Sequence, residues 1–226
     1  MAYESPVQRG RAYPPPGAPE STWPARLTVI AAIALQLSLP DRLAVSTRYL
    51  LPGLEAVLVV GLVVATPRRL ESHLAIRRRV TVGLIAVVSS ANAISLYLLA
   101  HNLLHDKIPR NGHALIVAGL LIWLTNFMIF GLWYWEIDRG GPGRRAGGED
   151  GPPDFLFPQM ADDSIQPPNW RPHFIDYLYV SLTNAAAFSP TDTMPLSHTA
   201  KMVMGLQSII SIVTIGLIIS RAVNIL

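Results

Sequence analysis

Three stretches of this chain carry no charged side chain, and each is about as long as a bilayer core is thick. They are residues 80–100, "VTVGLIAVVSSANAISLYLLA", residues 114–135, "ALIVAGLLIWLTNFMIFGLWYW", and residues 202–220, "MVMGLQSIISIVTIGLIIS". A helix of ~20 apolar residues crosses a hydrocarbon core of ~30 Å. Three such runs in 226 residues leave too little polar surface for them to be the buried helices of a soluble core. The expected fold is an all-α polytopic integral membrane bundle. Half of the residues are hydrophobic, but soluble domains approach that share too, so the clustering decides rather than the total.

Two further runs bring the expected number of transmembrane helices to about five. Residues 50–66, "LLPGLEAVLVVGLVVAT", are just long enough and include one acid, Glu55. Residues 27–39, "LTVIAAIALQLSL", are short; they span if Trp23 and Arg26 extend them, and otherwise lie in the interface. A hairpin turned by Pro40, Asp41, Arg42 and Pro52 would join the pair. Residues 1–25, rich in Pro and Gly, read as a disordered arm rather than a signal peptide. The chain has no Cys, which excludes disulfides, Cys-ligated metals and thiol chemistry. Three regions follow: the arm at 1–25, the first membrane helices at 26–113, and a unit at 114–226 containing a linker at 136–172.

Arginine near the ends of the runs predicts the orientation. Residues 67–79, "PRRLESHLAIRRR", hold five Arg; the arm holds Arg9, Arg11 and Arg26; the linker holds Arg139, Arg144, Arg145 and Arg171. With five spans all of these fall on one side, which the positive-inside rule makes cytoplasmic. The expected location is a bacterial inner membrane, crossed several times. The net charge of +3 sits beside membrane runs, so the partner expected is the lipid bilayer and not nucleic acid.

The linker, "EIDRGGPGRRAGGEDGPPDFLFPQMADDSIQPPNWRP", is dominated by Gly and Pro, which predicts little regular structure. Its Phe155, Leu156, Phe157 and Trp170, with Trp135 before it, would suit rings at the headgroup level. Then comes "HFIDYLYVSLTNAAAF", residues 173–188, apolar but too short to cross. Pro190 stops it, a turn of Ser189, Thr191, Asp192 and Thr193 follows, and the last full run begins. Ala185, Ala186 and Ala187 would permit close helix packing. A half-helix, a polar turn and a full helix together carry polar groups partway into a bilayer. Irregular backbone is tolerated at that depth only where protein or water meets it.

Span, linker, short helix, turn, span is also the order of the potassium-channel pore module, and "DYLYVSLTNAAAFSPTDTMP" resembles the pore helix and filter of that family. In this register Ala187 and Phe188 fall on the filter's Thr-Val pair. Ser189 and Thr191 fall on its two glycines, Pro190 on its tyrosine, and Asp192 on its aspartate. The resemblance implies pore-lining or filter-like roles for Thr183, Asn184, Phe188, Ser189, Pro190, Thr191, Asp192 and Thr193. It also implies an ion-channel-like homo-oligomer, a tetramer in that family, conducting inorganic cations. It covers residues 114–224, about half of the chain. The filter is degenerate. Ser189 and Thr191 stand where glycine reaches positive φ without cost, and Pro190 fixes φ near −65°. Weak selectivity is the expectation, because a ring of backbone carbonyls tuned to potassium needs those glycines. The Arg count would invert the module in the membrane, as in glutamate-receptor channels. The strings "WEIDRGGP" (135–142) and "AFSPTDTMPL" (187–196) also resemble a pattern in a family of bacterial membrane proteins, which implies a location and no activity.

The alternative function is a non-conducting scaffold or accessory subunit that keeps the re-entrant architecture for packing. An intramembrane enzyme ranks third, since there is no nucleophile–base constellation and no phosphate-cradling Gly loop. His101, His105, Asp106 and His113 gather at one membrane edge. They lack the glutamate of an H-E-x-x-H site and read as interfacial; no metal or cofactor is expected. Glu55 either reaches the headgroups or acts within its span. Asn92, Asn126, Gln207 and Asn224 are expected to make interhelical hydrogen bonds.

Overall fold

The computed structural model describes residues 21–39, 74–104, 112–147, 151–161, 170–187 and 193–223. Seven helices lie among them: α1 (Trp23–Leu37), α2 (Leu74–Leu104), α3 (Gly112–Ile137), α4 (Pro142–Gly147), α5 (Pro158–Ala161), α6 (Phe174–Ala187) and α7 (His198–Val223). A 3-10 turn, Asp138–Gly140, follows α3 directly. Two-residue strands β1 (Phe155–Leu156) and β2 (Met194–Pro195) pair antiparallel, with Phe155 opposite Pro195 and Leu156 opposite Met194.

By length and composition three helical stretches can cross a membrane: Arg78–Leu103, His113–Gly140 and His198–Val223. Each contains one of the three uncharged runs. Helix α1 has 15 residues, shorter than a full crossing, and the run at 50–66, with Glu55 and the hairpin turn before it, lies outside the described residues. The described part of the molecule is thus a helical bundle with three long apolar helices rather than five.

Helix α3 is the hub, packed against α1, α2, α6 and α7. At its N-terminal end the contacts are apolar: Leu115, Ala118 and Ile122 pack with Leu99 of α2 and with Leu39 just beyond α1. Two glycines set its distances to its neighbours. A β-carbon on Gly119 would lie 2.5 Å from Ile218 Cγ1 of α7, and one on Gly131 would lie 2.9 Å from Leu178 Cδ1 and 3.1 Å from Leu178 Cα of α6. Helix–helix approach this close depends on the absent side chain.

Local chemistry explains the helix starts. Ser197 Oγ accepts the Ala200 N–H at 3.0 Å, an N-cap for α7. Asp176, the third residue of α6, accepts the His173 N–H at 2.7 Å, satisfying a donor that the helix itself cannot. Pro142 and Pro158 open α4 and α5, where proline's missing N–H costs nothing.

The linker departs from the expectation of irregular chain, because its prolines start short helices and its glycines make one defined turn. Nor do its rings face outward. Phe155, Phe157 and Trp135 are 1%, 4% and 4% exposed and pack within the protein. Tyr134 and Phe155 centroids lie 5.2 Å apart, Trp135 and Phe174 5.6 Å, and Phe157 and Tyr177 5.3 Å. The Trp135–Phe174 pair joins α3 to α6 edge to face, while Phe155 and Phe157 of the linker pack on Tyr134 of α3 and Tyr177 of α6.

The path of α6 follows from its contacts. Near its start Tyr177 meets Asp138, in its middle Leu178 lies against Gly131, and further on Ser181 reaches Phe127 O. It therefore runs back along α3, away from the linker end. Near its end Asn184 meets Met204 and Ser208 of α7. Yet Met194 is paired with Leu156, and the Leu196 N–H reaches Asp154 O at 2.8 Å, so by Met194 the chain is back at the linker end.

Candidate functional site

Two polar clusters hold α6, one at the linker end and one deeper in the bundle. The string "WEIDRGGP" builds the first. At the end of α3 the backbone turns through three residues of positive φ: Arg139 (54°), Gly140 (78°) and Gly141 (96°). Glycine takes such angles freely and arginine does not, so Arg139 needs a reason to stay there. Its N–H donates to Asp154 Oδ2 at 2.9 Å. In return Asp138 Oδ1 accepts the Asp154 N–H at 2.9 Å, and Asp138 Oδ2 accepts the Tyr177 hydroxyl at 2.6 Å. Asp138 is fully buried, and a buried carboxylate is tolerable only with donors of this kind.

Arg145 completes the end of α3. Its NH1 donates to the carbonyls of Trp135 (2.9 Å) and Asp138 (2.7 Å) at the helix end, where carbonyls run short of backbone donors; Asp138 O also accepts the Gly141 N–H at 3.0 Å. Its guanidinium lies 6.0 Å from the Trp135 ring and 5.4 Å from the Tyr177 ring, within cation–π range. Arg78 of α2 approaches the buried Glu136 at 3.7 Å. One clasp thus joins the ends of α2 and α3, the linker, α6 and, through Asp154 O and Leu196, the start of α7.

The deeper cluster is uncharged. Gln207 of α7 sits at its centre, fully buried. Its Oε1 accepts from the Tyr134 hydroxyl and from Asn184 Nδ2. Its Nε2 donates to Ser181 O at 2.9 Å and to Ser181 Oγ at 2.8 Å. Ser181 Oγ donates to Phe127 O, Asn184 Nδ2 also reaches Met204 O, and Ser208 Oγ donates to Asn184 Oδ1. One turn further along α7, Ser211 Oγ accepts from Asn126 Nδ2 at 3.1 Å. These bonds tie α3, α6 and α7 through neutral groups, the type that low-dielectric surroundings tolerate when every partner is present.

Of the residues expected to line a pore, Asn184 is buried in this network and Thr193 is buried. Thr183 Oγ1 donates back to Val180 O at 2.9 Å and Tyr179 O at 3.1 Å within α6. Phe188, Ser189, Pro190, Thr191 and Asp192 lie outside the described residues. Asn126 and Gln207 make the interhelical bonds expected of them. Asn92 is buried but its Oδ1 has no hydrogen-bond partner, and Asn224 lies outside the described residues. Ala185 is buried as expected for close packing, whereas Ala186 is exposed; Gly131 of α3 supplies a close approach to α6 at Leu178.

His101 stacks on Tyr97 with centroids 5.9 Å apart. His105 and Asp106 lie outside the described residues, among which no group of three His, Cys, Asp or Glu is placed to hold a metal. Sequence reasoning did not find Tyr134, Tyr177, Asp138, Asp154, Ser181 or the capping role of Arg145. The available signal was an aspartate at the end of an apolar run, followed by Arg-Gly-Gly-Pro. Compared with known proteins, the chain matches no family model, no curated protein and no solved structure.

Proposed function

We propose that the chain is a multi-pass inner-membrane protein whose α3–α6–α7 unit is a pore module, several copies of which form a weakly selective cation pathway. The observation that carries this reading is the path of α6. A helix of 14 residues, about 21 Å long, runs into the bundle beside α7, and the chain is back at the linker end by Met194. Placed in a bilayer, that is a re-entrant segment. Five crossings are then α1, the run at 50–66, α2, α3 and α7, with the linker on the cytoplasmic side. Ser189, Pro190 and Thr191 supply no glycine for a potassium-tuned ring of carbonyls, so sodium and potassium pass at similar rates. No catalytic step is part of this reading.

The deeper polar cluster favours a second reading, a non-conducting scaffold or accessory subunit. Ser181, Asn184 and Gln207 bond to one another and to α3 within a single chain, which suits packing as well as it suits permeation. Purified protein in liposomes under a cation gradient separates the two. The pore reading expects flux above that of empty vesicles, with a small potassium-over-sodium ratio and a change in flux for Asp192→Asn. Vesicles holding folded protein that stay as tight as empty ones would leave the scaffold reading. A cysteine introduced near Gly147 should be shielded from an impermeant label in intact cells; ready labelling would reverse the orientation.

A further inference from the structure

The linker end holds buried charge of both signs and, outside it, exposed cations. All four acids among the described residues are there: Glu136, Asp138, Asp154 and Asp176. Each has a partner within the protein: Arg78 for the buried Glu136, Tyr177 and the Asp154 N–H for the buried Asp138, the Arg139 N–H for the half-buried Asp154, and the His173 N–H for Asp176. Two cations at the same end, Arg139 and Arg145, are buried in the clasp; the others lie outward. Arg78 keeps 48% of its side chain exposed while meeting Glu136, and Arg79, Arg144 and Lys201 are exposed. Trp23, 62% exposed at the start of α1, is at this end too, a position where indole rings favour the membrane–water boundary.

Two of these cations converge on one place. Glu136 Oε1, which Arg78 approaches, lies 3.3 Å from where a β-carbon on Gly141 would sit, and Arg144 Cδ lies 2.8 Å from the corresponding point on Gly140. The Arg144 stem therefore lies on the Gly140–Gly141 turn and the Arg78 guanidinium reaches it by way of Glu136, with Arg79 next to Arg78 in the chain. Guanidinium groups bind phosphate oxygens in pairs, and basic residues beside a membrane helix attract anionic lipid.

We propose that this end of the bundle binds an anionic phospholipid headgroup, with Arg78 and Arg144 beside the Gly140–Gly141 turn, and the exposed Arg79 next to Arg78 in the chain, as its phosphate-binding residues. The test is native mass spectrometry of protein released from nanodiscs holding equimolar phosphatidylglycerol and phosphatidylcholine. Wild type should retain the anionic lipid at least about tenfold over the neutral one, since each base near the surface contributes roughly fivefold. The pair Arg79→Gln with Arg144→Gln should bring retention close to equal, and Arg79→Lys with Arg144→Lys should keep most of the preference. Raising salt should collapse the wild-type preference, a readout that stands even where the glutamine pair does not fold. Equal retention by wild type, a preference indifferent to salt, or a folded glutamine pair with unchanged retention would each overturn the proposal. None of these measurements reads ion flux, so the outcome is independent of conduction.

Discussion

The two ends of α3 are held in opposite ways. At its N-terminal end the contacts are Leu115, Ala118 and Ile122 against Leu99 and Leu39. At its C-terminal end a buried carboxylate, two arginines, a tyrosine and a glycine turn grip the linker and α6. The partners differ in the same sense. Helix α2 has 31 residues and α7 has 26, long enough to be held by packing along their length. Helix α6 has 14 and offers far less surface. Inside a bilayer apolar area gives little drive for helices to associate, so close packing and hydrogen bonds must do it. Among the described residues these polar groups therefore gather where a short helix packed into the bundle has to be fixed.

That contrast is breakable, and the largest effect should come from its charged end. Asp138→Ala leaves the Tyr177 hydroxyl, the Asp154 N–H and the Arg139 guanidinium, 3.8 Å away, without their carboxylate. Removing one partner from a buried charged cluster costs about 3–5 kcal/mol, and thermal unfolding in a fixed detergent should show it. Next, Leu99→Ala at the apolar end should cost about 2–4 kcal/mol through lost packing and the cavity left behind, and it should leave α6 in place. Cysteine pairs between α6 and α7 would report that difference, cross-linking normally in Leu99→Ala and poorly in Asp138→Ala. Equal disturbance of α6 by both variants would dissolve the comparison.

The glycines sharpen it further. Gly131→Ala pushes against the Leu178 backbone, so α6 itself must shift, at a cost of about 1–3 kcal/mol. Gly119→Ala meets only the Ile218 side chain, which can turn aside, and its cost should fall below that of Gly131→Ala when the two are measured side by side. The smallest effects belong to single neutral bonds at depth. Asn126→Ala loses the bond to Ser211 and should cost about 0.6 kcal/mol, while Gln207→Leu, which strips several bonds at once, should come nearer 1.7 kcal/mol. A Gln207→Leu cost as large as that of Asp138→Ala would mean that the deeper cluster, not the clasp, holds α6.

Much of this architecture is visible in the sequence, and the gaps have physical causes. The runs at 80–100, 114–135 and 202–220 mark α2, α3 and α7, because an uncharged stretch of that length has few other uses. The segment at 173–188 marks α6 to within a residue at each end, since Asp176 and the prolines around it give the helix its limits. The clasp was not legible. Tyr177 lies 39 residues beyond Asp138 and Asp154 lies 16 beyond it, and no periodicity links positions so far apart across a Gly- and Pro-rich stretch. The same composition concealed α4 and α5, whose prolines begin helices rather than end them. Phe155 and Phe157 look interfacial as isolated rings, but the ladder between β1 and β2 turns that segment into the bundle.

That ladder has a consequence for the stretch it encloses. With Leu156 opposite Met194 and the Leu196 N–H on Asp154 O, residues 155–195 form a closed loop whose ends are fastened to α3 and α7. The entropy of closing a flexible loop grows only with the logarithm of its length, about 0.6 kcal/mol for each doubling. A few residues added between Ala161 and Trp170 should therefore change stability very little, provided both fastenings remain. A change of length there is thus separable from the seat of α6, which Asp138, Phe127 and Gln207 hold through Tyr177 and Ser181.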